Sequence, residues 1–443
     1  MASKVGIISL GCSKNLVDTE IMLGLLNRAG YEITGAQDNA DVIIVNTCGF
    51  ITPAKEEAIN TIFETARLKE TSGLKALLVA GCLSQRYGKI LLDEMPEVDG
   101  ILGTGAVPDI AGLVELALQG ERFCRVASPA YAHTPDMPRI LTTPPYSAYL
   151  KIADGCSNRC SYCAIPNIRG DYRSRPLEAV ISEAESLLEQ GVREIVLVAQ
   201  DTTAYGMDIY GRRKLAGLVR ELAVLGVPWI RLMYCYPTGF TGELIKVMAD
   251  NRNICRYVDM PLQHASPRML KLMNRRGSPE EIKELIAELR RAMPGIALRS
   301  TFMVGFPGET GEDFEELISF MKEVRFERAG VFKYSREEGT PAGDMSGQVP
   351  ARVKEERYHR AMKLQQEISL EQNSALVGKV INVLVEEEPS GRSNLYRGRS
   401  EMDAPDIDGL VLFTAVKSAP RPGDLVKVRV NKAYEYDLRG ELS

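Results

Sequence analysis

Most of the chain repeats a single unit, in which a short apolar strand is followed by a turn and an amphipathic helix. The first part of the chain contains four such units, with strands predicted at 5–10, 41–46, 75–80 and 100–102. The predicted helices begin near 14, 53, 84 and 107. Units of this kind form a parallel sheet, whose ligand sites lie beyond the carboxyl ends of the strands. The repeat therefore predicts an α/β fold and places any site at one edge of the sheet.

Six more units follow in the central part of the chain. Their strands are predicted at 148–153, 194–199, 229–233, 256–260, 296–304 and 330–334. Because six units are fewer than the eight that close a full barrel, we expect a partial (β/α)6 barrel of parallel strands. A long helix with a charged, solvated face is predicted between 353 and 371.

The last part of the chain has strand patterns without helices between them. Apolar or alternating runs at 379–386, 410–413 and 424–433 are separated by Gly and Pro, as in a small antiparallel β-barrel. Five prolines without apolar periodicity mark a linker, in which we expect His133 to be solvated. The predicted organisation is an N-terminal parallel-sheet domain, the linker, the central barrel and the C-terminal β-barrel, at 1–125, 126–145, 146–373 and 374–443.

Composition limits the classes of protein that fit. The 443 residues are 45% hydrophobic, which is enough for packed cores, and no apolar run approaches the length of a membrane span. The start of the chain lacks the pattern of a secretory signal, so we expect a cytoplasmic protein. Nine cysteines, an odd number in a long chain, favour metal or redox use over a disulfide framework. The net charge of −5 gives no support for broad electrostatic capture of nucleic acid.

Three cysteines follow the first strand of the central barrel within eight residues, at Cys156, Cys160 and Cys163. Thiolates select zinc, copper(I) or iron-sulfur clusters over hard cations. A structural zinc site needs a fourth Cys or His at short range, and the next histidine is His264. Three ligands instead suit a 4Fe-4S cluster with one iron left open to a small molecule. A zinc knuckle and a set of buried thiols are the alternative interpretations.

Three other cysteines occupy equivalent positions in the N-terminal units. Cys12, Cys48 and Cys82 each lie in the turn after a predicted strand, with Cys48 36 residues after Cys12 and Cys82 34 residues after Cys48. Because neighbouring parallel strands end at one edge of their sheet, these thiols can converge although they are far apart in sequence. One such cysteine would be interpreted as a small buried residue, but three in equivalent turns predict a second cluster.

These motifs resemble those of a known enzyme family. The Cys-x-x-x-Cys-x-x-Cys run after a strand resembles the signature of radical S-adenosyl-L-methionine (SAM) enzymes, and the stretch 154–170 resembles their methylthiotransferase branch. The stretches 155–160 and 9–15 are most similar to the members that modify a ribosomal protein rather than tRNA. The placement of the C-terminal barrel resembles a TRAM domain, which is usually an RNA-binding module.

The resemblance implies a radical enzyme that replaces a C–H bond by C–S–CH3. It implies two 4Fe-4S clusters, one on Cys156, Cys160 and Cys163 that binds SAM and reduces it to a 5′-deoxyadenosyl radical. The other cluster would be held by cysteines that match Cys12, Cys48 and Cys82. It would carry the sulfur that a second SAM methylates. The implied target is the β-carbon of an aspartate in a small-subunit ribosomal protein, free or in the ribosome. An electron donor such as flavodoxin or ferredoxin is also implied.

Polar side chains follow two strands of the central barrel. Gln200 and Asp201 follow the second strand, and Gln263 and His264 follow the fourth. A zwitterionic ligand with a ribose and an adenine needs amide and carboxylate partners. In radical SAM proteins the loops after these strands contact the cosubstrate, so the resemblance implies that these residues contact SAM. The stretch 305–310, which follows the fifth strand, is a further candidate for contact with SAM. His264 can equally be a structural histidine, and 305–310 can equally be a turn that starts a helix.

Two other functions remain open from the sequence. The nearer one is a tRNA methylthiotransferase of the same architecture, acting on a modified adenosine. The other is a non-catalytic iron-sulfur protein or RNA-binding scaffold that uses its clusters for stability. From residue 376 onward the chain has ten Lys or Arg and eleven Asp or Glu, whereas a surface that tracks phosphates is normally basic. The nearly equal numbers of basic and acidic residues make this region suited to bind a basic protein segment at least as well as bare RNA.

Overall fold

The computed structural model describes residues 2–129, 137–389, 394–415 and 419–443. The first region is a six-stranded sheet of parallel strands in the order β2-β1-β3-β4-β5-β6. Its strands are β1 Lys4–Ser9, β2 Glu32–Ile33, β3 Val42–Thr47, β4 Ala76–Gly81, β5 Gly100–Leu102 and β6 Phe123–Arg125. Its helices are α1 Ser13–Arg28, α2 Thr52–Ala66, α3 Leu68–Thr71, α4 Cys82–Glu94 and α5 Ile110–Leu118. One apolar cluster lies on each face of this sheet, as expected for parallel strands buried on both sides.

The central region is a second parallel sheet in the order β14-β13-β12-β11-β10-β7, which confirms the predicted open barrel of six strands. Its strands are β7 Ser147–Lys151, β10 Glu194–Val198, β11 Trp229–Leu232, β12 Ile254–Asp259, β13 Ala297–Val304 and β14 Arg328–Lys333, with a short antiparallel pair of β8 Ala153–Asp154 and β9 Arg173–Ser174 beside it. Its helices are α6 Ile165–Arg169, α7 Leu177–Glu189, α8 Met207–Tyr210, α9 Leu215–Val224, α10 Gly242–Asp250, α11 Pro267–Leu272, α12 Pro279–Ala292, α13 Gly311–Val324, α14 Pro341–Asp344 and α15 Ala351–Ser374.

The C-terminal region is a closed barrel of five strands in the order β15-β16-β17-β19-β18. These strands are β15 Val380–Glu387, β16 Leu395–Ser400, β17 Val411–Thr414, β18 Leu425–Ala433 and β19 Leu438–Leu442. Four of the five pairings are antiparallel, and β17 pairs with β19 in parallel. Closure leaves no free strand edge, which stabilises so small a sheet.

The small barrel packs against the face of the central sheet that its helices do not cover. Apolar side chains of both regions share one cluster, in which Tyr257 of β12 meets Leu384 of β15. The chain between β16 and β17 adds polar contacts, since the Tyr257 hydroxyl donates to Asp408 Oδ2 at 2.7 Å and Arg328 Nη2 donates to Asp403 Oδ1 at 2.7 Å. The C-terminal barrel therefore completes the packing of the open sheet.

The predicted linker falls partly outside the described residues, as does His133. Its second half is packed against both sheets rather than serving only as a spacer. Arg139 donates to Glu20 of α1 at 2.5 Å and to Glu183 of α7 at 2.7 Å. The Thr142 amide donates to the other oxygen of Glu20 at 2.7 Å. This segment therefore fixes the N-terminal sheet to the central sheet.

Candidate functional site

The three N-terminal cysteines all lie at the carboxyl edge of the first sheet. Cys12 precedes the first residue of α1, Cys48 follows β3, and Cys82 is the first residue of α4 rather than a turn residue as predicted. The Asn15 side chain holds two of these turns together, because its Nδ2 donates to Leu10 O at 2.7 Å and to Asn46 O at 3.2 Å. The edge of the sheet is thus fixed by hydrogen bonds within the protein itself.

A glycine beside the first cysteine allows this close approach. Gly11 has a φ of +90°, and a Cβ placed on it would lie 2.7 Å from the Cβ of Cys48. Similarly, a Cβ on Gly49 would lie 2.6 Å from the Cα of Leu83. Both glycines bring neighbouring turns together, which is what cysteines from separate units need in order to share one cofactor.

The electrostatic environment shows that the three thiols are neighbours. Burial raises the pKa of Cys82 to about 12, and the thiols of Cys12 and Cys48 add to that increase, against the charge of Arg169. Burial also works to raise the pKa of Cys12, but the cations Lys14 and Arg169 outweigh it and lower the pKa below its usual value. Because metal ligation requires thiolates, these positive charges favour the ligating form of Cys12.

The second cysteine triplet lies in the loop between β8 and α6. This loop is held at two points, since the Cys156 amide donates to Gly170 O at 3.1 Å and the Ser161 amide donates to Met273 O at 3.0 Å. Arg275 Nη1 lies 3.8 Å from Cys160 Sγ. Burial raises the pKa of Cys156 to about 11 and that of Cys163 to about 12, so binding a metal here must release protons.

One buried arginine joins the two triplets. Arg169, at the end of α6, has Nη2 3.7 Å from Cys82 Sγ and 2.9 Å from Asp18 Oδ2 of α1. Its Nη1 donates to Asp154 Oδ2 at 3.0 Å, two residues before Cys156. Lys151 of β7 completes the group by donating to both carboxylates, Asp18 and Asp154. The carboxyl edges of the two parallel sheets thus face each other across two cations and two carboxylates that lie at their contact.

The predicted SAM contacts divide into two pairs. Gln200 and Asp201 lie against the second cysteine loop, because Gln200 Nε2 donates to Asp154 Oδ1 at 3.1 Å and Asn158 Nδ2 donates to Asp201 Oδ2 at 2.8 Å. The Gln200 Oε1 atom is buried and has no hydrogen-bond partner among the described residues. Because this buried oxygen has no protein donor and lies beside the cysteine loop, it is suited to accept a hydrogen bond from a ligand bound there.

Gln263 and His264 are engaged by the protein itself. Gln263 has a φ of +72°, and its backbone pairs with the next strand through bonds to Thr301 O and from the Met303 amide. His264 is fully buried, and its Nδ1 accepts from the Ser266 amide at 3.0 Å. Burial lowers the pKa of His264 to about 4, so its side chain is neutral at pH 7. One ring nitrogen of His264 thus serves the fold, while the other, Nε2, is buried and has no hydrogen-bond partner among the described residues.

The stretch 305–310 forms the predicted turn and helix start. Thr310 and Asp313 make a reciprocal capping box at the start of α13. Glu309 is also engaged, since it accepts from the Phe306 amide at 3.0 Å and pairs with Arg357 at 2.9 Å. These contacts give the polar residues of the segment a role in starting and fixing α13.

Both cysteine triplets fit iron-sulfur clusters by donor chemistry. All six cysteines are free thiols, and each triplet offers three soft ligands at one place. In the described parts of the chain, no three His, Cys, Asp or Glu side chains are arranged to hold a single metal ion. Cysteines of a four-iron cluster each bind a different iron, so they need not converge on one point.

Comparison with known proteins identifies the family. Residues 150–321 match the radical SAM superfamily, 4–103 match an uncharacterized protein family, UPF0004, and 377–442 match the TRAM domain. The chain is 57% identical to the ribosomal protein uS12 methylthiotransferase RimO of Pelotomaculum thermopropionicum over 100% of this chain and 99% of the relative. It is 55% identical to the RimO protein of Desulforamulus reducens over 99% of each chain.

The chain belongs to the RimO family of methylthiotransferases. As a member of this family it is a radical SAM enzyme, and its cofactors are 4Fe-4S clusters and SAM. This membership excludes the interpretation as a non-catalytic iron-sulfur scaffold. It also confirms the resemblance inferred from the cysteine motifs and the sequence stretches around them.

Solved structures show the same fold at low sequence identity. The radical SAM methyltransferase TsrM from Kitasatospora setae, with cobalamin and a 4Fe-4S cluster bound, has a TM-score of 0.57 at 18% identity and covers 77% of both chains. The cobalamin-dependent radical SAM enzyme OxsB has a TM-score of 0.51 at 12% identity, covering 83% of this chain and 56% of OxsB. At these identities the likeness is one of fold.

Sequence reasoning missed the cations around the cysteines of this RimO family member. Arg169 lies within the stretch 154–170 that carried the resemblance, but spacing alone gave it no role. Arg275 follows α11, and no motif connects it to Cys160. Both arginines pair with groups more than 80 residues away in the chain, so their partners could not be inferred from local patterns.

Proposed function

We propose that this enzyme replaces a C–H bond by C–S–CH3 at the β-carbon of an aspartate in ribosomal protein uS12. The observation that carries the proposal is the meeting of two cysteine triplets, from two parallel sheets, across a single buried arginine. A reaction that needs one centre to make a radical and another to deliver sulfur requires two such centres close together. The names of the relatives support uS12 as the target.

In this proposal each triplet holds one cluster. Cys156, Cys160 and Cys163 hold the cluster that binds SAM, and the second cluster is held by Cys12, Cys48 and Cys82. The clusters and SAM, when bound, supply the radical that removes hydrogen and the sulfur and methyl group that replace it. Gln200 and Asp201, beside the first of these sites, contact SAM in this assignment, together with Gln263 and His264.

The protein itself fixes the relative position of the two sites. Arg169 and Lys151 fix the second cysteine loop relative to α1 through Asp154 and Asp18. Arg86 ties the Cys48 turn to the loop after β14, since its Nη1 donates to Gly49 O at 2.7 Å and to Glu337 Oε2 at 3.0 Å. Contacts of this kind hold two reacting centres at a fixed separation without contacting the reacting atoms.

The same proposal includes the partners and the compartment. The substrate is uS12, free or in the ribosome, and a flavodoxin or ferredoxin supplies electrons in the cytoplasm. No helix in the described residues is both long and apolar enough to cross a membrane.

Two cysteine variants test the division of labour. Cys156→Ala is expected to abolish the cleavage of SAM, because it removes a ligand of the SAM-binding cluster. Cys48→Ala is expected to keep SAM cleavage and lose thiomethylation, because only the second cluster is affected. Release of 5′-deoxyadenosine and the mass of a uS12 peptide measure the two steps under anaerobic conditions. Cys124→Ala, which changes a free cysteine on β6, is the matched control and should retain both.

Two results would contradict this scheme. If both variants cleave SAM and thiomethylate normally, the assignment of the cysteines is wrong. If a deletion strain loses thiomethylation of tRNA while uS12 keeps its modification, the tRNA function is correct instead. Mass spectrometry of ribosomal protein and of tRNA from one strain decides between these targets.

A further inference from the structure

A buried lysine lies where the two cysteine-bearing edges meet. Lys14 is in the first turn of α1, two residues after Cys12, and its side chain is directed toward the central sheet. Its ammonium lies 3.2 Å from the ring centroid of Tyr234, which follows β11. Only 6% of Lys14 is exposed to solvent. The lysine is therefore anchored in one sheet and reaches the carboxyl edge of the other.

This lysine differs from the other cations at the contact. Lys151 and Arg169 are each paired with Asp18 and Asp154. Among the residues that the structure describes, no carboxylate lies within ion-pair distance of Lys14. Lys14 interacts with Cys12 and with Tyr234, and these two contacts offset only part of the cost of holding a cation out of water.

A second polar group in the same turn also lacks a partner. The Ser13 Oγ atom is buried and makes no hydrogen bond to the described residues. An ammonium and a hydroxyl are the donors that a carboxylate accepts. The first turn of α1 thus offers an unpartnered hydroxyl, and an ammonium whose contacts with Tyr234 and Cys12 include no carboxylate.

We propose that Lys14 recognises the substrate by pairing with the side-chain carboxylate of the aspartate that is modified. This inference rests on the proposed function, in which the target is an aspartate of uS12. The β-carbon of aspartate is bonded directly to its carboxyl carbon. A lysine that fixes the carboxylate therefore also fixes the reacting carbon, between the two cysteine triplets. Lys14 is in this sense a specificity-determining residue.

Binding of two peptides to the reconstituted enzyme tests this role. The peptides carry the uS12 sequence around the target, one with Asp and one with Asn at that position. A charge-assisted hydrogen bond in a buried site corresponds to a preference of about 10- to 100-fold, so the wild type should bind the Asp peptide tighter by that factor. Lys14→Gln and Lys14→Met should bind both peptides equally, at the level of the Asn peptide. Lys14→Arg should keep part of the preference.

The readouts other than binding establish that the variants are intact. Iron content and the release of 5′-deoxyadenosine from SAM without peptide are measured for every variant, and Lys14→Arg, which keeps the positive charge beside Cys12, should match the wild type in both. The control is Lys75→Met, which changes an exposed lysine of the same sheet that pairs with Asp41, and it should keep the full preference for Asp.

Each contrary result has a distinct meaning. If Lys14→Gln keeps the preference for Asp, the inference is overturned, and Lys14 instead neutralises the Cys12 side of the site. If both Lys14→Gln and Lys14→Met lose iron, Lys14 serves cluster assembly and the inference is again overturned. If the wild type thiomethylates uS12 but binds both peptides equally, only the inference fails. If the wild type modifies no uS12 peptide at all, the proposed function fails with it.

Discussion

Arg169 shows how one side chain can determine the arrangement of a site made from distant segments. It lies at the end of α6, yet it contacts Asp18 of α1 in the N-terminal region and Asp154 of β8 in the central region. It is only 1% exposed. A guanidinium suits this place because its planar group of five donors can serve two carboxylates and a thiol at once. Its charge also keeps the pKa of the Asp154 carboxyl, which burial alone would raise, well below the usual range.

Removing the Arg169 side chain should destabilise the protein strongly. Arg169→Met leaves two buried carboxylates with only Lys151 between them, and breaking a buried pair of this kind costs about 3–5 kcal/mol. The free energy of unfolding in urea, measured without cofactors, checks this value. The control is Arg159→Met, which removes an ion pair with Asp171 whose side chains are 59% and 69% exposed. That exposed pair should contribute less than about 1 kcal/mol. Equal losses in the two variants would contradict the structural role of Arg169.

At this scale the sequence indicated six candidate ligands but not the charges around them. The six cysteines could be chosen because their spacing matched strand ends, a local and periodic signal. The contacts of Lys14, Arg169 and Arg275 depend on which side chains the fold brings opposite them, and those partners lie in other units of the chain. The other three cysteines, Cys124, Cys235 and Cys255, have no partner pattern in the sequence, and the last two are fully buried.

At the scale of elements, the turns after β1, β3 and β4 determine the geometry of the first cysteine site more than the strands do. Each turn must place a cysteine beside a neighbouring turn, and this sets the residue type next to the cysteine. Gly11 meets both demands, since it adopts a positive φ and leaves room for the Cys48 side chain. A residue with a Cβ meets neither.

Gly11→Ala should therefore impair the first cysteine site. The added Cβ would lie 2.7 Å from the Cβ of Cys48, so the two turns must separate. After anaerobic reconstitution we expect about half of the wild-type iron, because one of two clusters is lost. The control is Gly30→Ala, at a φ of +92° with no atom within 4 Å of the added Cβ. It carries the same backbone strain without the clash, and it should keep all of its iron. Full iron in Gly11→Ala would show that this close approach is unnecessary.

Elements with a clear apolar period were predicted well, and short or polar ones were missed. The four N-terminal and six central strands that the repeat predicted are present, within a few residues of the expected bounds. The strands Glu32–Ile33 and Phe123–Arg125 at the edges of the first sheet are too short to show a period. Leu395–Ser400 was missed because Arg and Gly alternate within it, and its place in a closed barrel compensates for its weak propensity.

The molecule as a whole is held together at its C-terminal end by a second buried ionic group. Glu194 of β10 is fully buried and accepts from Arg399 of the small barrel at 2.6 Å and from Arg231 of β11 at 2.9 Å. Burial works to raise the pKa of Glu194, but the two arginines outweigh it and lower the pKa to about 2. The docking of the small barrel is therefore linked to the ionised form of this carboxylate.

This linkage predicts a dependence of stability on pH. The pKa of Glu194 falls from 4.5 to about 2 on folding, so its contribution is fully present above pH 4.5 and is lost as the pH falls toward 2. At pH 7, Glu194→Gln should cost about 3–5 kcal/mol, because it leaves two buried arginines with less compensation. Thermal unfolding at pH values from 7 to 3 should show the difference from wild type shrinking below pH 4.5.

The matched control for this experiment is an exposed carboxylate of the small barrel. Glu387 pairs with Arg397, and the two side chains are 56% and 42% exposed. Glu387→Gln should change stability by less than about 1 kcal/mol at every pH. A difference between Glu194→Gln and wild type that stays constant down to pH 3 would rule out the proposed linkage.

The contacts of Arg139 constrain how this protein can diverge. Its guanidinium joins a carboxylate of the N-terminal helix α1, Glu20, to one of the central helix α7, Glu183. A substitution at any of the three positions removes an ion pair from a buried network, in which Glu183 also pairs with Arg175, so these positions are expected to change together among descendants. A chimera that takes residues 1–125 from one homologue and the remainder from another should fold well only where both parents share this trio.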